Sequence, residues 1–124
     1  MKKLKLILMA IAVLVVGINL SARAQKTADL EIKTSAQCSM CKETIEKAMA
    51  FEKGVVKYEL IVETKILKVT YKPAKTNPET IRRAVSAVGY DADEVVADPK
   101  AYQNLSDCCK KPEDRQSDHS GHQH

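Results

Sequence analysis

The sequence has little of what a large globular core needs. Its 124 residues contain no tryptophan and one phenylalanine, and aromatic residues make up 4% of the chain. A chain of this length folds as one small domain at most, which excludes a large enzyme. Glycine and proline occur four times each, and only about the last two dozen residues have the composition of a disordered segment. We therefore expect one small domain followed by a polar tail.

The chain also lacks a lasting excess of positive charge, although its formal charge is +4. Four basic residues, Lys2, Lys3, Lys5 and Arg23, lie within the first 24 residues. The rest of the chain has 16 basic and 16 acidic residues. This balance argues against binding to nucleic acid, and against a membrane-surface role once the first segment has been removed.

The first 24 residues have the pattern of a cleaved signal peptide. A basic start precedes an apolar run over 6–18, and a small-x-small cleavage motif ends at Ala24. The run of 13 residues is shorter than the ~20 that a membrane-spanning helix needs, so a retained anchor is the weaker alternative. No cysteine follows the run, which argues against a lipid anchor. We predict a signal peptide over 1–24 and a periplasmic or secreted location, where disulfides can form.

The spacing of apolar residues predicts the order strand, helix, strand, strand, helix, strand. These elements are expected, in that order, at 28–34, 40–51, 56–62, 67–71, 78–88 and 90–96. The order is that of an α+β ferredoxin-like βαββαβ sandwich, a four-stranded antiparallel sheet with two helices on one face and a more polar opposite face. We place one domain at 25–98 and a flexible Cys/His-containing tail at 99–124.

Local signals mark both ends of the second helix. Thr76 or Asn77 is predicted to cap it, with Pro78 in the first position and Glu79 in the first turn. The missing amide of proline and the negative charge of glutamate both suit a helix start. Gly89 is expected to end the helix.

Cys38 and Cys41 form the first candidate site. One lies on the loop after the first strand and the other in the first turn of the first helix, so their sulfurs can point at one ion. A helix N-terminus stabilises thiolate and lowers a cysteine pKa from about 8.5. Thiolate pairs prefer soft ions such as Cu(I), whereas structural Zn(II) usually has four ligands.

Spacing alone leaves three interpretations of this C-x-x-C pair open. It is a soft-metal site, a structural disulfide, or a thiol-disulfide redox module in which Cys38 attacks a substrate disulfide and Cys41 resolves it. The chain is short of the strands and helices that a thioredoxin fold uses. No His, Pro or acidic residue stands where it would plainly assist redox chemistry.

Residues 28–97 resemble a heavy-metal-associated domain, the module of copper chaperones, of the N-terminal domains of metal-pumping P-type ATPases and of periplasmic mercury-binding proteins. The matching features are Cys38-Ser39-Met40-Cys41, Ile45, Gly54-Val55 and the stretch from Ile81 to Gly89-Tyr90. The resemblance implies that Cys38 and Cys41 bind the metal, that thiolate exchange passes it to a partner, and that the protein is not an enzyme. We expect Cu(I) first, then Hg(II) or Zn(II).

The same resemblance suggests a partner and points to two residues. The partner would be a metal-transporting membrane protein such as a P-type ATPase, and the carrier would be a monomer or a metal-bridged dimer. Ala36 stands where the family usually has a buried Met, which predicts a looser loop. Tyr90 falls where family members place a residue near the metal loop, and a core ring whose hydroxyl reaches water is the alternative. On the exposed face of the first helix, candidate docking charges, or simply solvated ones, are Lys42, Lys47 and Glu43.

The tail holds a second cysteine pair. Cys108 and Cys109 cannot easily bridge each other because the ring strains the peptide. The 12 residues from Val96 to Cys108 span up to ~3.3 Å each, so the tail is long enough to add sulfur ligands to the first site. An incidental pair or an interchain disulfide is the alternative.

The end of the tail is rich in histidine. His119, His122 and His124 are spaced for weak capture of Cu(II), Zn(II) or Ni(II), and a solvated tail is the alternative. Because imidazole binds metal in its neutral form, such binding is expected to fade below about pH 6.

Overall fold

The computed structural model describes residues 1–9 and 26–115, of which 2–9 are helical. The remainder of the predicted signal peptide lies outside these ranges. No helix in the described part of the chain is long and apolar enough to cross a bilayer. The other elements are β1 (Ala28–Lys33), α1 (Ser39–Phe51), β2 (Val55–Ile61), β3 (Ile66–Tyr71), α2 (Pro78–Ala87) and α3 (Pro99–Gln103), followed by 3-10 turns at Asp107–Cys109 and Pro112–Asp114.

The strands form an antiparallel sheet in the order β1-β3-β2. The core contains fully buried aliphatic side chains from the sheet and from both long helices, among them Ile32, Leu67, Ile45 and Val85. Polar residues of the strands, such as Glu31, Glu59 and Lys68, are exposed. The α+β sandwich with one polar sheet face is therefore confirmed.

The prediction of a fourth strand at 90–96 is wrong, because in the described residues this segment meets the end of β1 through a single isolated bridge, from Ala92 to Thr34. Asp93 interrupts the extended path with a φ of +52°. Its carboxylate accepts the backbone N–H of Lys33 at 2.9 Å. The segment thus turns at the edge of β1, and the sheet has three strands in the described ranges.

Strand β2 departs from the predicted alternation of buried residues. Leu60 is fully buried, but Val56 and Tyr58 are 44% and 38% exposed. The pairing of β2 with β3 shifts between Val55 and Lys57. This bulge takes Val56 out of the alternation. Tyr58 pairs with buried Val69 and lies on the same face as Leu60, so its side chain keeps the predicted face and is only partly covered.

Helix α1 covers the free edge of β2. The Lys42 ammonium donates to the carbonyl of Leu60 at 2.9 Å, and the Leu60 amide donates to Glu46 Oε1 at 3.1 Å. Lys42 and Glu46 also pair at 3.4 Å. Two polar groups of an edge strand are satisfied in this way, which removes a template for further strand pairing. Lys42 is thus engaged within the fold.

The structure describes the predicted flexible tail over residues 99–115. Residues 99–115, here called the strap, fold back over the domain. Asp98 immediately precedes the strap and fixes its start. The Asp98 carboxylate accepts the Ala101 amide at 2.9 Å, and the Asp98 amide donates to the Ser86 carbonyl at 3.0 Å. Gly89 allows close approach, because a Cβ there would lie 3.1 Å from the Ala101 carbonyl oxygen. Helix α3 therefore packs directly on the end of α2.

Polar contacts hold the second half of the strap. Lys111 pairs with Asp91 at 2.8 Å, and this contact lowers the pKa of Asp91 although burial acts to raise it. The Tyr102 hydroxyl donates to Asp114 at 2.7 Å and accepts the Lys111 amide at 3.0 Å. These contacts form only when residues distant in the sequence come together in the fold. Composition does not show such contacts, so the polar composition of the tail predicted flexibility.

Candidate metal centre

The fold places the first cysteine pair at the start of α1, as predicted. Cys38 is the N-cap residue, with extended backbone, and Cys41 lies in the first turn. Their Sγ atoms are 3.4 Å apart. Cys41 is fully buried and Cys38 half-buried. The pair therefore presents one sulfur to the core and one to the rim of the loop.

The strap brings the second pair to the same place. Cys38 Sγ lies 3.5 Å from Cys108 Sγ and 3.6 Å from Cys109 Sγ. The two strap sulfurs are 3.9 Å from each other. Cys109 is buried and Cys108 exposed, and all four cysteines are free thiols. We call Cys38, Cys41, Cys108 and Cys109 the thiol cluster.

Cys38 is the most acidic member of the cluster with a resolved shift. Burial acts to raise its pKa, but hydrogen bonds from the Cys41 amide and from the neighbouring thiols outweigh this and lower the pKa to about 7. Burial raises the pKa of Cys109 far above its usual value, and the hydrogen bond to Cys38 raises that of Cys108. Cys38 is thus the thiol that loses its proton first, and neighbouring S–H groups donate hydrogen bonds to the resulting thiolate.

This arrangement predicts the order in which the thiols react. Cys38 should be alkylated by iodoacetamide before the more exposed Cys108, because the thiolate is the nucleophile and Cys38 has the lower pKa. The rate at Cys38 should rise with pH, reach half its maximum near the Cys38 pKa of about 7 and then level off. Mass spectrometry of peptides alkylated across about pH 5 to 9 measures this. Faster labelling of Cys108 at neutral pH would contradict the assignment.

Comparison with known proteins identifies the family. The profile of the heavy-metal-associated domain matches residues 35–91. Over 67 residues the chain is 36% identical to a mercuric transport protein periplasmic component of Shewanella putrefaciens, an alignment that covers 54% of this chain and 72% of the relative. The chain belongs to the heavy-metal-associated domain family. The strap begins after the matched residues, so its cysteines lie outside the part recognised as this domain.

Other relatives agree with this heavy-metal-associated domain. A mercuric transport protein periplasmic component of Pseudomonas aeruginosa is 36% identical over 53 residues, which are 43% of this chain and 58% of the relative, less than two thirds of its length. Oxidized MerP from Ralstonia metallidurans CH34 is 29% identical, with a TM-score of 0.53 over 55% of this chain and 96% of that one. The CopZ metallochaperone, 23% identical with a TM-score of 0.50 over 52% of this chain and 98% of that one, shares the fold.

Tyr90 of the heavy-metal-associated domain is fully buried beside the thiol cluster. Its hydroxyl makes no hydrogen bond of good geometry within the described ranges. Burial and contacts with the Cys109 and Cys41 sulfurs raise the pKa of Tyr90 far above its usual value, so the hydroxyl keeps its proton. A buried donor without a good acceptor fits a site in which neighbouring thiols become thiolates.

Sequence reasoning missed one sulfur near the cluster, and the histidines it proposed as further ligands lie outside the described residues. Met40 Sδ lies 3.6 Å from Cys108 Sγ. The available signal was a soft thioether between two cysteines. Ala36, at the family's Met position, is fully buried within the same core as Cys109. His119, His122 and His124 lie outside the described residues, so their proposed role stays a prediction.

Proposed function

We propose that this protein is an exported carrier of a soft heavy-metal ion, with Cu(I) as the first candidate and Hg(II) or Zn(II) as alternatives. The observation that carries the proposal is the thiol cluster, in which Cys38 lies within 3.6 Å of the other three sulfurs. Soft thiolate ligands are those that Cu(I) prefers. The names of the relatives support Hg(II) as the second candidate.

The spacing of the sulfurs suits an ion without large movement. Cys38, Cys108 and Cys109 form a triangle with sides of 3.5, 3.6 and 3.9 Å. Its centre lies about 2.1 Å from each sulfur, close to a metal–thiolate bond of ~2.3 Å. Cys41 adds a fourth sulfur 3.4 Å from Cys38. The three sulfurs that all lie within 4.8 Å of one another are those of Cys38, Cys108 and Cys109. We propose Cys38 and Cys41 as the primary ligands and the strap pair as auxiliary ones, with Cys41 moving closer to the strap sulfurs when the ion binds.

Loading and release follow from the acidities. Cys38 supplies the first thiolate, and the other thiols lose their protons as the ion binds. Metal affinity therefore rises with pH. Release begins on the exposed side of the cluster, where Cys108 lies, when a partner thiolate replaces one of the ligands there. The partner is a metal-transporting membrane protein, such as a P-type ATPase, that meets the carrier in the periplasm or outside the cell. No bond of the cargo is made or broken except those to its ligands, so the role is that of a carrier and not of an enzyme.

A titration tests this proposal. The chain and its Cys38→Ser/Cys41→Ser variant compete anaerobically with a chelator for Cu(I), Hg(II) and Zn(II). We expect one soft ion per chain, held tightly by the unmodified protein and lost from the variant. Failure of the unmodified protein to compete for any of the three ions would overturn the carrier function.

Thiol-disulfide exchange is the second candidate, and the lowered pKa of Cys38 beside three thiols favours it. A redox module would reduce a peptide disulfide catalytically. The metal carrier would not, and metal would protect its thiols from alkylation. Turnover of a disulfide substrate together with weak metal binding would select the redox function.

Tyr90 provides a separate prediction. Tyr90→Phe should leave the stability of the metal-free protein nearly unchanged, because the hydroxyl has no good partner there. It should weaken Cu(I) binding by about 1.5–3 kcal/mol, the range for a hydrogen bond to a charged group. Thermal unfolding and chelator competition measure the two effects. Tyr71→Phe, at a buried tyrosine of β3, is the matched control and should not alter metal affinity. Unchanged affinity in Tyr90→Phe would show that the hydroxyl does not serve the thiolates.

A further inference from the structure

Met40 is an apolar residue of α1 whose side chain is not packed in the core. It is 50% exposed, whereas Met49, further along α1, is 1% exposed. Its thioether sulfur lies 3.6 Å from Cys108 Sγ, a strap residue 68 positions away in the sequence. An exposed thioether in contact with an exposed thiol is a pair of soft donors that solvent can reach.

The sulfurs are arranged from the core to the surface. Cys41 and Cys109 form an inner side, with 0% and 3% of their surfaces exposed. Cys108 and Met40 form an outer side that is open to solvent. Cys38 lies between them and contacts sulfurs of both sides. An ion that enters the cluster from solvent therefore meets the outer side first.

We propose that Met40 Sδ is a metal ligand that completes, with Cys38 and Cys108, an outer thiol–thioether site through which Cu(I) enters and leaves the cluster. This inference rests on the proposed function, and adds to it a ligand of a different chemical type and a direction of transfer. Cys38, which also contacts Cys41, then carries the ion to the buried side of the cluster, where Cys38 and Cys41 hold it during transport.

The chemistry of a thioether suits an exchange position. Met40 Sδ is neutral at every pH and has no proton to lose, so it binds without adding charge. It is a weaker donor than thiolate and leaves first. In the transfer step an incoming partner thiolate donates an electron pair to Cu(I), and Met40 departs with its own pair. Copper remains Cu(I), no electron is transferred, and the proton of the partner thiol passes to solvent.

The same ligand favours one ion over another. Thioethers bind Cu(I) well, whereas Zn(II) prefers thiolate, imidazole and carboxylate. Removal of the Met40 sulfur should therefore weaken Cu(I) binding and leave Zn(II) binding unchanged. A purely structural Met40, which only shields Cys108 from solvent, would affect both ions alike.

Selenium provides a direct test of the ligand. The full chain is labelled with selenomethionine, loaded with Cu(I) without oxygen, and studied by selenium X-ray absorption. We expect a copper–selenium contact that disappears in Met40→Leu, which retains the other three labelled residues. Bound Cu(I) without that contact would overturn this inference and leave the carrier function intact. Failure to bind Cu(I) would also overturn this inference, and failure to bind Hg(II) and Zn(II) as well would overturn the carrier function, so the bound metal is measured in the same sample.

Affinity provides the second test. We expect Met40→Leu to bind Cu(I) about tenfold more weakly, which corresponds to about 1.4 kcal/mol, and to release it faster to a competing thiol. Its Zn(II) affinity should not change. Met49→Leu makes the same chemical change in the core, away from solvent, and is the matched control. Equal Cu(I) affinity and release rate in the two variants would contradict a ligand role for Met40.

Discussion

Replacing both strap cysteines, Cys108→Ala and Cys109→Ala, is expected to weaken Cu(I) binding at least tenfold while leaving a two-sulfur site. The reason is that Cys38 Sγ contacts the strap sulfurs at 3.5 and 3.6 Å, nearly as closely as it contacts Cys41 at 3.4 Å. Loss of groups that only support metal ligands typically weakens binding by about 10- to 100-fold, so loss of ligands should do no less. Anaerobic competition with a chelator measures the change.

The control for this double variant is Asp107→Ser. Asp107 lies in the same 3-10 turn, is exposed, and leaves all four sulfurs in place. Because Cys109 is 3% exposed, its replacement also leaves a small cavity, and thermal unfolding of the metal-free variants records that separate effect. Equal Cu(I) affinity in the double variant and in Asp107→Ser would show that the strap does not supply ligands.

Gly89→Ala is expected to release the strap and so to weaken metal binding without touching a sulfur. Gly89 has a φ of +101°, and a Cβ there would lie 3.1 Å from backbone atoms of Ala101 and Tyr102. Backbone atoms cannot turn aside as a flexible side chain can. The left-handed conformation alone should destabilise the protein by about 1–2 kcal/mol. Hydrogen exchange of residues 99–115 and Cu(I) competition measure the opening and its consequence.

Gly54→Ala is the matched control for Gly89→Ala. Gly54 also has a positive φ, +88°, but a Cβ there would meet side-chain atoms of Thr76 and Lys75. We therefore expect a similar loss of stability in both variants, but faster exchange in the strap and weaker Cu(I) binding only in Gly89→Ala. If the two variants bind Cu(I) equally, strap docking at Gly89 is not coupled to the metal centre.

The features that the sequence predicted well depend on neighbours along the chain. Asn77 caps α2 by accepting the Thr80 amide at 2.9 Å, with Pro78 at the start of the helix. Cys38 and Cys41 lie at the start of α1 as predicted. In each case the capping group or the paired thiols lie within one turn, so the residue types and their spacing determine the geometry.

The features that the sequence missed depend on contacts across the fold. The 90–96 segment alternates weakly, and Asp93 turns the chain with a positive φ while its hydrogen bonds with Lys33 hold the turn at the edge of β1. From its composition the strap is a polar tail. In the structure it is held by the ion pair of Lys111 with Asp91, which lies 20 positions earlier in the chain. The length of the tail allowed Cys108 to reach Cys38, but length alone could not predict that the two sulfurs are in contact. Packing between distant segments sets these positions.

The number of sulfur atoms around the bound ion distinguishes a centre shared by the domain and the strap from a site of Cys38 and Cys41 alone. Copper X-ray absorption of the Cu(I)-loaded chain counts them. The thiol cluster predicts three or more sulfurs in the unmodified protein and fewer in Cys108→Ala/Cys109→Ala. Two sulfurs in both proteins, supplied by Cys38 and Cys41, would contradict a centre built jointly by the domain and its strap.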